Sequence, residues 1–308
     1  MRILHISDFH LDYKDKEDNV NHVVEPLINR LKKVIEEKQI DLIFFTGDLV
    51  NIGGKNYSGL DEAFLDFEET LIDPLLEVTK LTKDSFFFVP GNHDINRDLD
   101  SKIVEKGLVQ DLVSQESLND FFKKPEGIER IKEYQDFEEY FYKDSKSKIK
   151  LSEFQSTFKT KKGDYNVGIC CLNSSWRCFD SNSDKGKILI GEKQIIDGLK
   201  DLNDCDLKIA LCHHHFDFLQ EFDKEIVESL LKQDFNLFFS GHTHRNKAGY
   251  IQDPDGQLFS FCASGTLSSS IRNPERKYEN GFSTIDYDME SRKIISKFYK
   301  AEYPKREF

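Results

Sequence analysis

The chain has no stretch approaching the roughly 18 uninterrupted apolar residues of a membrane-spanning helix, so a transmembrane protein is not expected. Its opening residues, MRILHISDFH, lack both the apolar core and the small-residue cleavage site of a secretion signal, which predicts a cytoplasmic location and no membrane partner. None of the six cysteines (Cys170, Cys171, Cys178, Cys205, Cys212 and Cys262) belongs to a CxxC pair. Several lie in apolar runs where a reduced thiol serves as a small core residue, so neither a disulfide frame nor a zinc cluster is expected. Internal repeats, low-complexity tracts and a basic stripe interleaved with aromatics are all missing. With a formal net charge of -13, long-range attraction to a nucleic-acid backbone is not favoured, although a local basic site is compatible with that balance.

What the sequence does contain is a series of short apolar runs: 2–7, 41–47, 85–91, 165–175, 207–213 and 235–241. Most are unbroken rather than alternating, the pattern of strands covered on both faces. Helix-period segments at roughly 20–38, 61–81, 191–202 and 223–233 separate them. These features predict a layered α/β fold with a largely buried sheet. After Gly265 the character changes, and GFSTIDYDMESRKIISKFYKAEY reads as a hairpin belonging to a second, more antiparallel sheet. The charged, aromatic stretch at about 97–150 has a helical period and reads as an insertion projecting near the site. The 308 residues and 38% hydrophobic content suit one domain, 1–308, carrying that insertion.

Five of these six apolar runs end in polar residues able to bind a metal or move a proton. The exits carry Asp8 and His10, then Asp48, then Asn92, His93 and Asp94, then His213, His214 and His215, and finally His242 and His244. Turn chemistry explains any one of these sets, because Asp and Asn bond their own backbone. It does not explain histidine at several exits, or the D-x-H and H-x-H pairs. A two-residue spacing on extended chain turns both side chains to the same side, within reach of one ion. The carboxyl ends of neighbouring strands in an α/β sheet converge on one crevice, which would gather these residues.

Taken in order, DFH at 8–10, GDLV at 47–50, GNHD at 91–94, CHHH at 212–215 and GHTH at 241–244 resemble the motif series of the calcineurin-like metallophosphoesterases over roughly residues 1–290. The resemblance implies a four-layer α-β-β-α sandwich of two mixed sheets flanked by helices. It also implies a centre of two divalent ions, with manganese favoured and iron or zinc as alternatives. Asp8, His10 and His244 would hold one ion. Asn92, His242 and one histidine of the triple, His213 with His214 as the alternative, would hold the other, and Asp48 would bridge them. Carboxylate, imidazole and amide oxygen suit these metals.

The implied reaction is phosphoester hydrolysis by direct attack of a metal-bridging hydroxide, with no phosphoenzyme. His93 would protonate the leaving group, with Asp94 orienting its imidazole. His214, His215 and Arg245 are candidate substrate contacts. The expected substrate is a small nucleotide-like or other phosphate diester. Alternatives are a nuclease resembling the Mre11/SbcD group, which shares these motifs, and a catalytically silent interaction scaffold. His5, inside the first strand, reads as a hydrogen-bonded core histidine. Trp176 and Arg177 follow a strand and read as packing residues, with the cleft as the alternative. The runs DFEET at 66–70 and KTKKG at 159–163 read as solvated faces.

Overall fold

The computed structural model describes residues 1–179, 184–254, 256–262 and 280–301. Gly265, after which the sequence changes character, lies outside them. The first sheet is built on three parallel strands, β1 (Arg2–Ile6), β2 (Leu42–Phe45) and β3 (Phe86–Phe88). The second holds β4 (Lys148–Lys150), β5 (Gln155–Lys162), β6 (Tyr165–Leu172), β7 (Leu207–Leu211), β8 (Leu237–Ser240), β9 (Lys247–Asp253) and β10 (Gly256–Cys262), in the order β4-β5-β6-β7-β8-β10-β9. Its central members β6, β7, β8 and β10 run parallel, while β4, β5 and β9 pair antiparallel at the edges.

The closing hairpin, β11 (Gly281–Tyr287) and β12 (Ile294–Lys300), corrects the expectation that it would join the second sheet. It extends the first one, whose order is β12-β11-β1-β2-β3. β11 lies antiparallel to the free edge of β1, with Arg2 opposite Asp286. The Arg2 guanidinium clasps both Asp286 oxygens at 2.8 and 2.7 Å, which fixes this register by a two-pronged ion pair.

The unbroken apolar runs have a direct cause in the layering. Along the second sheet, Ile169, Cys171, Ile209, Leu211, Leu237 and Phe239 face one core, and the intervening Cys170, Leu172, Ala210, Cys212 and Phe238 face another. Period-two geometry with apolar cover on both sides demands an apolar residue at every position. The first core lies between the sheets, where Phe44 of β2 meets Phe239 of β8 at 5.0 Å and Phe87 of β3 meets Phe158 of β5 at 5.1 Å. Helices 25–37 and 60–67 add Leu27, Leu31, Phe64 and Phe67 to it. The second core is closed by helices 192–201 and 221–234, through Ile195, Val227 and Leu231. The result is an α/β fold of two mixed sheets flanked by helices. No helix among the described residues is long and apolar enough to cross a membrane.

The 97–150 stretch is helical at 102–111, 115–121 and 132–141, but its last helix is core rather than projection. Phe137 stacks on Phe64 at 4.9 Å, and Tyr134 and Phe141 pack around Phe88. At the base of the stretch, buried Arg130 pairs with Asp100 and Glu105, and Arg177 joins Glu105. Trp176 is stacked on Phe121 at 5.2 Å, so both residues after β6 are packing residues. The DFEET run is also less exposed than expected: Glu68 is buried against Lys83, and Asp66 gathers Lys16 and Tyr57. All six cysteines are buried free thiols.

Glu138 is an uncommon core residue, a buried carboxyl whose neighbour is the Ser156 hydroxyl at 2.8 Å. Burial pushes it up to about 8. The folded protein therefore holds this proton to higher pH than the unfolded chain does, and the associated stability fades as pH rises from about 4.5 toward about 8. Glu138→Gln is expected to be more stable than the wild type at pH 8 by roughly 1–3 kcal/mol, an advantage that closes near pH 4.5. Urea denaturation at the two pH values checks this; equal stability at both would show that Glu138 carries no burial penalty.

Candidate metal centre

Five strand exits meet at one end of the paired sheets. The loops after β1 and β2 are zipped together: the amide of Asp8 donates to Gly47 O, that of His10 to Asp48 O and that of Leu11 to Leu49 O. The backbone is left-handed at Asp8 (φ 58°), His10 (φ 51°), Asp48 (φ 57°), His242 (φ 65°) and His244 (φ 52°). Each such non-glycine residue costs on the order of 1–3 kcal/mol and persists only where its surroundings over-determine it. Five of them among the sequence-selected residues mark a cluster held for function.

Both carboxylates are pinned at one oxygen and presented at the other. Asp48 Oδ1 accepts the His93 amide at 2.9 Å, while Oδ2 lies 3.6 Å from His10 Nε2 and 3.5 Å from His213 Nε2. Asp8 Oδ2 accepts the His242 amide at 3.2 Å, and Oδ1 lies 3.2 Å from His244 Nε2. His10 and His244 face each other through Nε2 at 3.5 Å.

On the other side, His213 Nδ1 donates to Thr46 O at 2.7 Å, which leaves Nε2 as a lone pair. That nitrogen sits 3.1 Å from Asn92 Oδ1 and 3.2 Å from His242 Nδ1. Among the described residues, potential metal donors thus form two groups: Asp8, His10, Asp48 and His244, and His213 with His242 and His214. Donor atoms about 3 Å apart are what an ion with ligands at about 2.0–2.2 Å requires. Nε2 of His213 lies beside Oδ1 of Asn92 and Oδ2 of Asp48, a donor set that fits a divalent cation.

Burial keeps the His10 and His242 imidazoles neutral, the form that binds metal. It lowers His10 to about 3, and lowers His242 to about 4 with help from His213. Burial alone would raise the Asp48 carboxyl, but His213, His93 and His10 outweigh it and hold the group at about 2. Asp94 is raised well above its ordinary value by burial and then by the charge of Asp48.

Several expectations change here. Asp94 does not orient the His93 ring: its oxygens accept the amides of Val50 at 3.0 Å and Gly91 at 2.7 Å, bracing the loop backbone. His93 Nδ1 instead accepts the Ile52 amide at 3.2 Å, and the ring lies edge-on to His10 at 4.6 Å. Of the triple histidine, His214 turns Nδ1 to Ser174 Oγ at 2.8 Å and Nε2 toward Cys178 Sγ at 3.9 Å, whereas His213 looks into the donor cluster. His215 is engaged by Asp217 at 3.1 Å and Ser260 at 3.3 Å, and Arg245 is exposed. His214 is fully buried and His215 nearly so, so neither is placed as a ready substrate contact. His5 is a core histidine bonded to Thr46 Oγ1 at 3.0 Å, as its strand position predicts.

Three neighbours escaped the motif reading. Thr46 orients His213 through its carbonyl; Phe218 stands edge-on to His242 at 4.8 Å; Arg97 donates to Asn92 O at 3.0 Å. Only Arg97, four residues past His93, carried a sequence signal, a cation close to a ligand loop.

Gly91 leaves no room for a side chain. An added Cβ would sit 2.1 Å from Asp48 Oδ1 and 2.2 Å from the Asp48 amide nitrogen. Gly91→Ala is therefore expected to displace Asp48 and lose bound metal while the two cores hold. Elemental analysis beside circular dichroism checks this, and full metal content in the variant would refute the close approach.

Two stacked mixed sheets with a carboxylate–imidazole donor set at their common strand ends define an α/β protein of the two-sheet class whose strand ends are fit to hold metal. Residues 1–246 match the calcineurin-like phosphoesterase family, and the chain belongs to it. A protein of Bacillus subtilis (strain 168), described as the uncharacterized metallophosphoesterase-like protein YydB, is 21% identical over 311 residues, covering 97% of this chain and 59% of its own length. The chain thus spans about three-fifths of that relative. Among solved structures, a dimetal phosphatase from Danio rerio shares the fold with a TM-score of 0.53 at 12% identity, covering 97% of this chain and 96% of its own.

Proposed function

We propose that the protein hydrolyses phosphate esters, and that its substrate is a small nucleotide-like or other organic phosphodiester. The observation that carries this reading is the shared carboxylate: one oxygen of Asp48 faces His10 and His213, which belong to different donor groups. In this reading Asp8, His10 and His244 would hold one divalent ion, Asn92, His213 and His242 would hold the other, and Asp48 would serve both. When bound, such ions would supply an activated water nucleophile and positive charge for the phosphate oxygens. Carboxylate, imidazole and amide donors suit manganese, iron or zinc, and manganese is the ion we expect.

The chain's own residues do the rest. His93, half-exposed beside Asn92, meets the phosphate and hands a proton to the departing oxygen. Asp94 braces the loop that carries both through the amides of Gly91 and Val50. The rigid strand β3 behind the loop keeps these groups in register. The net charge of -13 favours a compact substrate over a nucleic-acid polymer.

The test is turnover of bis-p-nitrophenyl phosphate and p-nitrophenyl phosphate by manganese-supplemented and chelator-treated protein, with metal content measured beside it. Diester turnover that requires about two ions per chain supports the proposal. Fewer than one ion and no turnover would leave the centre as architecture and favour an interaction scaffold. Steeply salt-dependent binding of labelled single-stranded DNA would move the reading to a nuclease.

A further inference from the structure

The loop after Asp48 is built in a way that no ligand role explains. Ile52 (φ 39°), Gly53 (φ 61°) and Gly54 (φ 69°) are three successive residues in the left-handed region. Glycine adopts this conformation freely, whereas a β-branched residue there is an outlier. A tight turn of this kind can aim successive amide N–H groups into one concavity. Here the concavity is filled by His93: the Ile52 amide donates to His93 Nδ1 at 3.2 Å and the Gly53 amide donates to His93 O at 2.7 Å. Ring and main chain of one residue are thus gripped by adjacent amides of another loop. The loop is itself anchored, because the Asn51 amide donates to Leu11 O and the Asn51 side chain donates to Asp12.

We propose that Ile52 is a positioning residue, and that its strained amide sets the tautomer of His93. An N–H donor at Nδ1 requires a lone pair there, so the ring proton of the neutral imidazole resides on Nε2. His93 therefore presents an Nε2–H outward as a hydrogen-bond donor. A carboxylate partner at Nδ1, the role expected of Asp94, would have drawn the proton to Nδ1 and reversed the ring's polarity. The inference rests on the phosphoesterase reading for its catalytic meaning, since the outward N–H would serve a phosphate oxygen or a departing alkoxide. The contact that fixes the tautomer stands without that reading.

The experiment is a long-range proton–nitrogen correlation spectrum of histidine-labelled protein loaded with diamagnetic zinc, with His93 assigned by its loss in His93→Ala. A protonated Nε2 and a pyridine-like Nδ1 are expected in the wild type. Ile52→Gly, which keeps the amide and suits a positive φ, should preserve this signature. Ile52→Pro removes the donor and also forces φ from 39° to about −65°; it should lose the signature, and unchanged zinc content shows that the donor cluster has not moved with the loop. A proton on Nδ1 in the wild type, or an unaltered signature in Ile52→Pro, overturns the inference. If Ile52→Pro does not fold, the wild-type and Ile52→Gly spectra alone decide. Turnover separates the two readings. A wild type with the expected tautomer but no esterase activity sinks the proposed function and keeps the positioning contact. In an active enzyme, Ile52→Pro should slow an alkyl phosphodiester at least about tenfold more than the p-nitrophenyl ester, because only the poor leaving group needs the proton. Equal slowing of both would reduce Ile52 to a structural role and overturn the assignment.

Discussion

Asp48→Asn is expected to abolish diester turnover, by roughly a thousandfold or more, the scale on which losing one preorganised electrostatic contact is felt. The change is isosteric, yet it strikes at both donor groups. Oδ1 could still accept the His93 amide if the new side chain turned its oxygen that way, but its nitrogen would then face His10 and His213 where a lone pair now stands. An N–H donor in that position repels a cation, so metal content should fall with the rate. Elemental mass spectrometry on protein refolded with and without manganese separates the two effects. A variant that keeps both ions and loses only rate would place Asp48 outside the ligand set; one that keeps both properties would sink the shared-carboxylate reading altogether.

His93→Ala should behave in the opposite way. The side chain touches Ile52 and His10 but donates no atom to either donor group. Metal content is expected to persist while turnover falls by about a hundredfold to ten-thousandfold, the range for loss of a positioned proton donor. The deficit should be smallest for p-nitrophenyl esters, whose leaving group departs without protonation. Loss of metal from this variant would show that His93 is a ligand.

Much of this centre could be read from spacing because strand ends are local features: a buried run followed by polar residues has nowhere to put them except the mouth of the sheet. Asp8, His10, Asp48, His242 and His244 were all legible on that ground. The role of Asp94 was not, because neighbours in sequence need not be neighbours in bonding. A carboxylate two residues past Asn92 looks suited to brace the adjacent imidazole, but the tight turn points it back at the amides of Gly91 and Val50. The partner that does meet His93 is a main-chain amide, which leaves no mark in any side-chain pattern. The closing hairpin was visible as a hairpin and misplaced as to sheet, since alternation in β11 specifies a pleated neighbour without saying which one. The antiparallel pair β9–β10 follows the last histidines and was missed, because β9 is exposed along most of its length and offers little apolar periodicity. Glu68 looked solvated because its partner Lys83 lies 15 residues away, beyond helical spacing.

The clasp of Arg2 on Asp286 joins residues separated by 284 positions, and that separation sets the timetable of folding. β1 leaves the ribosome well before the strand that covers its open edge. At about 5–20 residues per second, β1 waits roughly 15–60 s for β11. During that interval β1, β2 and β3 form a nascent sheet with an unpaired, apolar edge, the kind of template on which chains aggregate. Pulse-labelled nascent chains truncated before residue 281 should therefore depend on chaperones for solubility, and release that dependence once β11 emerges.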